Sequence, residues 1–323
     1  MSSSLQRLKE KMGDINALGA AMAMMDWDQQ TYMPRGGADA RASHLECLSR
    51  MKHEMFTSDE LQTDVADAAK DASGDDKDLL RVIKRDLDLA TKLPSELVGR
   101  KSKLAAIAHE EWVTARSKND FNGFAPTLER MFDIAREEAE HLGYTDHIYD
   151  ALTDQYEEGA TAADWKLMYE SIKGPQVELV KAIQEKGPID DSRLYGDWDR
   201  AKQSTFTEMI AKAVGFDFDR GRQDTAPHPF CTGWSVGDIR LTTRYKPYLG
   251  SAIFGTLHEA GHGMYEQGSP AAWDLTALAG GVSLGMHESQ SRTWENIVGR
   301  SKAFWVRFLP DLQKAFPAIA DLS

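Results

Sequence analysis

Cysteine is nearly missing from this chain: Cys47 and Cys231 are the only two in 323 residues. A disulfide framework is therefore excluded, and no C-x-x-C pair is present to clamp a metal through sulfur. A reduced, cytoplasmic setting is the expectation. Apolar runs of membrane-spanning length, about 20 residues, are missing as well, so no membrane partner is expected. The opening residues Met1-Ser2-Ser3-Ser4 lead straight into charged positions, with no signal-peptide core. Positive charge is in short supply: 38 Lys and Arg stand against 51 Asp and Glu, a formal net charge of −13. No Lys/Arg-dense stripe reverses that sign locally, which argues against a nucleic-acid partner. Internal repeats and low-complexity tracts are absent too.

What is present is helical pattern on a large scale. With 41 % hydrophobic residues the chain can bury a sizeable core, as one big domain over 1–323. Leu5, Leu8, Met12, Ile15, Leu18, Met22 and Met25 recur at steps of three and four. They predict a long amphipathic helix that packs onto its own domain, with the methionines at 22, 24 and 25 filling core. Pro34-Arg35-Gly36-Gly37 ends it. Further helices are predicted near 38–55, 58–71, 77–92, 95–117, 124–142, 162–186 and 200–213. Residues 73–76 and 187–191 read as loops.

The character changes near residue 224, dividing a helical part (1–223) from a second part (224–323). Pro227, Pro229, Gly233 and Gly237 break helix. From Asp238 the chain alternates, with Ile239, Leu241, Thr243 and Tyr245 on one side and Asp238, Arg240, Thr242 and Arg244 on the other. That predicts a half-buried strand, paired with 229–235 as an antiparallel hairpin. Its edge could pair with an extended peptide. A helix begins near Ser251, and another runs over roughly 283–298 after an Ala279-Gly280-Gly281 turn.

The helix from Ser251 carries His258-Glu259-Ala260-Gly261-His262. Residues four apart lie on one helix face, so both imidazoles can reach one metal ion, with Glu259 placed to act as a base on a water. Two neutral histidines and a carboxylate base suit a zinc hydrolase that splits peptide bonds. A catalytic zinc takes three protein ligands and keeps one position open. A histidine third ligand in the H-x-x-G-x-x-H pattern is excluded, because Tyr265 and Gly268 stand where Gly and His are required. The carboxylates left are Glu266, Asp274, Glu288 and Glu295. Glu266 lies one turn past His262 and points along the helix. Asp274 sits in a loop that could reach the site. Glu288 would face the histidines if two helices cross. Glu295 could accept an imidazole N–H or be an exposed charge. His287 reads either as a donor beside the metal or as a helix cap. His44, His53, His109, His141 and His147 read as solvated. Arg240 and Arg244 each have two readings, a carboxylate binder or a structural ion pair, which for Arg240 would be with Asp238.

Taken together, His258-Glu259-x-x-His262, His287-Glu288-Ser289-Gln290, Asp238-x-Arg240-x-Thr242 and His228-Pro229-Phe230 resemble the signatures of the M32 metallocarboxypeptidases, the carboxypeptidase Taq family. Trp27 to Pro34, Asn119-Asp120-Phe121 and Tyr149-Asp150-Ala151-Leu152 fit the same resemblance, which spans essentially the whole chain. It implies a mostly α, helical zincin-type fold with a small antiparallel β element beside the metal helix and a long substrate groove. It implies His258, His262 and Glu288 as metal ligands and Glu259 as general base and acid. Asp238, Arg240, Thr242 and His228 would lie beside the site as substrate-binding or supporting groups, together with His287 and Glu295. The metal expected is one divalent ion, zinc ahead of cobalt. The implied activity is removal of C-terminal residues from peptides by a cytoplasmic homodimer. An oligopeptidase or endopeptidase of similar metal architecture, or an inactive helical scaffold, are the alternatives. Family members continue past residue 323, with I-R-x-x-A-D and G-x-x-Q-D-x-H-W signatures that this sequence does not contain. The resemblance therefore also implies a truncated chain whose groove lacks its far wall. Residues 311–323 read as a helix with no natural finish.

Overall fold

A computed structural model describes residues 3–322; Met1, Ser2 and Ser323, which open the N-terminal reading and close the C-terminal one, lie outside the described residues. The chain runs α1 (Ser3–Thr31), α2 (Ala38–Phe56), α3 (Asp59–Ala68), α4 (Asp75–Ala90), α5 (Ser95–Lys118), α6 (Phe121–Leu142), α7 (Ile148–Thr153), α8 (Ala162–Glu185) and α9 (Arg200–Val214). Then come β1 (Gly221–Thr225), β2 (Cys231–Ser235), β3 (Asp238–Thr243), α10 (Gly250–Gln267), α11 (Leu284–Arg292) and α12 (Lys302–Ala315). No described helix is long and apolar enough to cross a membrane.

The N-terminal stripe packs inward as its period requires. Leu5, Leu8 and Ile15 join Leu61 and Val65 of α3 and Leu80, Ile83 and Leu87 of α4 in one core. Further along α1, Met22 and Met25 pack against Ala42, Leu45 and Ala106. Met24 departs from the core-filling expectation and is 49 % exposed, because it points to the opposite side of the helix. Two of the histidines that the sequence predicts to be solvated are engaged. His53 bridges Ser95 Oγ and Ala90 O, each at 3.0 Å, and His147 caps α7 through Tyr149 N–H.

The sheet has three strands in the order β1-β3-β2. The expected hairpin of β2 and β3 is antiparallel, with Cys231 opposite Leu241. However, β1 adds a parallel neighbour with Gly221 opposite Ile239, so the sheet is mixed rather than antiparallel. β3 is thereby central and paired on both edges, which removes it as a docking edge for a peptide. β1 was hidden in the sequence because Gly221-Arg222-Gln223-Asp224-Thr225 has almost no apolar residue to show a period of two. Position 223/224, taken as the division of the chain, falls inside this strand.

The pleat sends Ile239 and Leu241 into a core with Phe216 and Ala260 of α10. On its other side α10 packs through Ile253 and Leu257 against Phe206 and Ile210 of α9 and Phe304 and Phe308 of α12. The last helix stops at Ala315 rather than running to the end, since Pro317 disfavours helical geometry at Phe316; Pro317–Ile319 is a single 3₁₀ turn. α8 is different from the rest. None of its residues is buried, and Leu167, Leu179, Val180 and Ile183 face solvent.

Two glycines let α10 be gripped this closely. A Cβ on Gly263 would lie 2.7 Å from Phe216 Cε2 and 2.9 Å from Leu241 Cδ2. Gly263→Ala should therefore destabilise the fold by about 1 kcal/mol, as roughly 1–3 kcal/mol of overpacking outweighs the ~1 kcal/mol gain in helix propensity. Urea unfolding measures the difference, and a variant more stable than the parent would contradict this seating of α10.

Candidate metal centre

The second glycine, Gly261, sets the site. A Cβ there would stand 2.7 Å from Ser291 Cα and 2.8 Å from Gln290 O, so α11 lies with its backbone directly on α10. Ser283 caps α11 by accepting from Met286 N–H. The contact turns Glu288 towards the two imidazoles. Glu288 Oε2 lies 3.6 Å from His258 Nε2 and 3.4 Å from His262 Nε2. A tetrahedral zinc with bonds of about 2.0–2.1 Å separates its ligand atoms by roughly 3.3–3.4 Å. The donor set and its spacing thus fit a divalent cation, and these are the residues that could hold one.

Each donor is itself held. Glu288 Oε1 accepts from Arg292 Nε at 2.6 Å and Oε2 from Ser291 Oγ at 3.0 Å. His258 Nδ1 lies 3.0 Å from Glu295 Oε2. Glu295 is seven residues past Glu288, on a π-helical turn, Thr293–Val298, that continues α11. Arg300 binds its other oxygen at 2.8 Å. His262 Nδ1 meets not a carboxylate but His287 Nδ1, at 2.6 Å.

Burial raises the proton affinity of Glu259, and the negative charges of Glu288 and Glu295 add to it, so the carboxyl is pushed up to about 8. A cation among the three donors would act in the opposite direction. Burial, then the neighbouring His287 and His258, bring His262 down to about 4, which leaves the ring neutral as a metal ligand must be. For Glu288 burial pulls upward, but the Arg292 and Ser291 hydrogen bonds and His258 outweigh it and the net shift is down. Glu295 behaves likewise, with Arg300 and His258 overcoming burial.

His258, Glu259, His262, His287 and Glu288 all line one groove of about 950 Å³. His228, Phe230 and Cys231 form part of its wall, and Tyr156, Trp165 and Tyr169 of the α7–α8 region form another. These aromatic groove residues carried no signal of their own in the sequence, since they belong to elements remote from the motif.

Asp238, Arg240 and Thr242 are not in this groove. The alternation that points Ile239 and Leu241 at α10 turns Asp238 and Arg240 to the other face, towards α1. Arg240 binds Asp238 through Nη2 at 3.0 Å, and its guanidinium lies 5.1 Å and 5.0 Å from the ring centroids of Trp27 and Trp234. It makes the ion pair with Asp238 that its structural reading expects. Thr242 is fully buried and clasps the backbone of Phe230, accepting from its N–H at 2.8 Å and donating to its C=O at 3.1 Å. It shapes the groove wall from behind. Asp274 is also spoken for, by Ser235 Oγ at 2.8 Å and Val236 N–H at 2.9 Å in the β2–β3 turn. Arg244 donates to Pro227 O at 2.9 Å and Arg116 to the same oxygen at 3.2 Å.

The sequence model of the family described as Carboxypeptidase Taq (M32) metallopeptidase matches residues 7–323. The chain is 33 % identical to Thermostable carboxypeptidase 1 of Pyrococcus furiosus over 330 residues, covering 99 % of this chain and 65 % of the relative. It is 35 % identical to Carboxypeptidase 1 of Bacillus subtilis over 308 residues, covering 94 % of this chain and 62 % of the relative. The crystal structure of the M32 carboxypeptidase from Deinococcus radiodurans R1 superposes with a TM-score of 0.90 at 34 % identity, covering 100 % of this chain and 66 % of that one. The chain thus spans under two thirds of the length of these two curated relatives.

The buried charges give metal-stripped protein a defined pH response. Between the ordinary Glu value of 4.5 and about 8, the unfolded chain releases the Glu259 proton while the folded one keeps it, so stability falls as pH rises. His262 acts at the other end, lowering stability as pH falls from 6.5 towards about 4. In the presence of chelator, Glu259→Gln should stabilise the fold by on the order of a few kcal/mol at pH 8 and by little at pH 5. Thermal unfolding at the two pH values tests this; equal gains at both would show that Glu259 does not titrate in that window.

Proposed function

The chain belongs to the carboxypeptidase Taq (M32) metallopeptidase family, and from that premise we propose that it acts as a metal-dependent carboxypeptidase on peptides. The observation that carries the proposal is the spacing of His258 Nε2, His262 Nε2 and Glu288 Oε2, which matches a tetrahedral edge, beside the buried carboxyl of Glu259. His258, His262 and Glu288 are the proposed ligands. When bound, a divalent ion lowers the pKa of a water and polarises the scissile carbonyl. Glu259 takes the proton of the attacking water and delivers it to the leaving amine. Zinc is the proposed ion, with cobalt next, since a His₂Glu set accepts both.

The peptide would lie in the groove, with Tyr156, Trp165, Tyr169 and Phe230 offering apolar surface that tolerates many side chains. β2 is an edge strand of the sheet, and its Cys231 lines the groove, so β2 takes over the docking role expected of β3. Arg244 and Arg116 pair with no acid among the described residues and both donate to Pro227 O, one residue before the groove-lining His228-Pro229. They supply positive potential for a substrate's terminal carboxylate. We carry forward from the family a cytoplasmic homodimer built of single peptidase domains, each with a helical part and a metal-site part.

The test is a pair of peptides, one with a free and one with an amidated C-terminus, incubated with protein and added zinc or cobalt. Stepwise loss of C-terminal residues from the free peptide alone supports the proposal. Internal cuts in both would make it an endopeptidase, and metal uptake without any cleavage would make it an inert scaffold. Glu259→Gln should keep the metal while losing hydrolysis by about 10²–10⁴-fold. Glu288→Ala should lose metal by elemental analysis, and unchanged occupancy would remove Glu288 from the ligand set. Arg244→Ala should raise KM for the free peptide at unchanged metal content, and an unaltered KM would dismiss it as a carboxylate contact.

A further inference from the structure

We propose that Glu266, on the metal helix itself, is a positioning residue that fixes the tautomer of His262 through His287. The inference rests on His262 being a metal ligand and adds a group to which no role has been given.

Glu266 Oε1 lies 2.6 Å from His287 Nε2, and His287 Nδ1 lies 2.6 Å from His262 Nδ1. An ionised carboxylate only accepts, and a neutral imidazole has one donor and one acceptor nitrogen. With both imidazoles neutral and Glu266 as the acceptor, the chain of contacts has one consistent direction. His287 Nε2–H donates to Glu266, His287 Nδ1 is left as an acceptor, and His262 Nδ1–H donates to it. His262 Nε2 is then the free lone pair, and it is the nitrogen that faces Glu288. For His258 the same result is reached in one step, through Glu295. Both rings thus present Nε2 to one point, but by supports of different length.

The surrounding loop is built to hold the longer support. Gly281 N–H donates to Glu266 Oε1 at 3.3 Å. A Cβ on Gly281 would stand 2.4 Å from His287 Cδ2 and 3.0 Å from Tyr265 Cε1, so only glycine fits against the ring. Its neighbour Gly280 has φ +93°, a left-handed conformation that lets the turn close over Glu266. The Tyr265 ring meets His287 at 75°, with 5.2 Å between centroids. Glu266 and His262 are one helical turn apart, so His287 is clasped between two side chains of the same helix.

The experiment has two readouts. In long-range ¹H–¹⁵N spectra of metal-free protein, His262 should appear as the Nδ1–H tautomer and His287 as Nε2–H. In chelator competition, Glu266→Ala should weaken Zn²⁺ binding by about 10–100-fold. Glu266→Gln, whose carbonyl still accepts, should keep both tautomers and recover most of the affinity. Gly281→Ala should weaken Zn²⁺ binding with the carboxylate intact, by displacing the His287 ring. A folded Glu266→Ala variant with parental Zn²⁺ affinity, or a parent protein with His262 as Nε2–H, would overturn the proposal. If Glu266→Ala fails to fold, the parent's tautomers decide alone. A parent that binds neither Zn²⁺ nor Co²⁺ would instead sink the metallopeptidase reading and leave the tautomers to judge the relay.

Discussion

The approach of two helix backbones at Gly261 is the constraint on which the site depends. An α-helix carrying two imidazoles one turn apart offers only two donors to a metal. The third must come from elsewhere in the chain, and its reach is limited by one short side chain. With Ser291 Cα and Gln290 O filling the space that any Cβ at 261 would need, α11 comes near enough for Glu288 to arrive within 3.6 Å of both rings. Glycine inside a helix costs roughly 0.5–1 kcal/mol relative to alanine. At Gly261 and Gly263 that cost secures a close fit on two opposite sides, to α11 on one and to the Phe216 and Leu241 core on the other.

That packing has an electrostatic consequence. It gathers Glu259, Glu288 and Glu295 around two histidines in a partly desolvated space. Arg292 and Arg300 compensate Glu288 and Glu295, and both carboxyls are held below their ordinary values despite burial. Glu259 has no such partner and goes the other way, to about 8. The three acids are therefore not equivalent. Two are kept ionised by neighbouring arginines, as the proposed ligand and its proposed support need to be, and the third has no such cation. A buried carboxyl in this state has its charge balanced only when a cation sits beside it.

Much of this was legible in the sequence, and the parts that were not have a common cause. The spacing of His258 and His262 fixes them on one helix face, and Glu288 to Glu295 spans two turns, so the paired roles of those carboxylates follow from periodicity. The π turn at Thr293–Val298 is invisible in that spacing, yet it is part of how Glu295 reaches His258. As a ligand Glu266 is disfavoured by its direction, along its own helix. That same direction is what brings it to His287. Asp238, Arg240 and Thr242 went the other way. The family resemblance implies a place beside the metal for them, but the strand pleat and the indoles of Trp27 and Trp234 turn the first two towards α1. β1, polar and mostly accessible, has no hydrophobic alternation to read. Local periodicity reveals the face a residue occupies; which other element covers that face is set by tertiary packing.

The distribution of these groups along the chain separates the centre from its groove. The proposed ligands, their supports and the loop that holds Glu266 all fall between His258 and Arg300, on α10, the 279–283 turn and α11 with its π extension. Contacts of such short sequence separation form without closing long loops. The groove wall is assembled differently. Tyr156, Trp165 and Tyr169 come from more than 80 residues upstream, and α8, which carries two of them, has no buried residue to anchor it. The proposed centre is therefore seated between the aromatic core of α9 and α12 and the sheet. In the proposed function, substrate selection would fall to a wall in which α8 has no buried residue. Under that proposal the wall would be free to adapt to different side chains while the spacing of His258, His262 and Glu288 stays set by α10 and α11, which do not run through it.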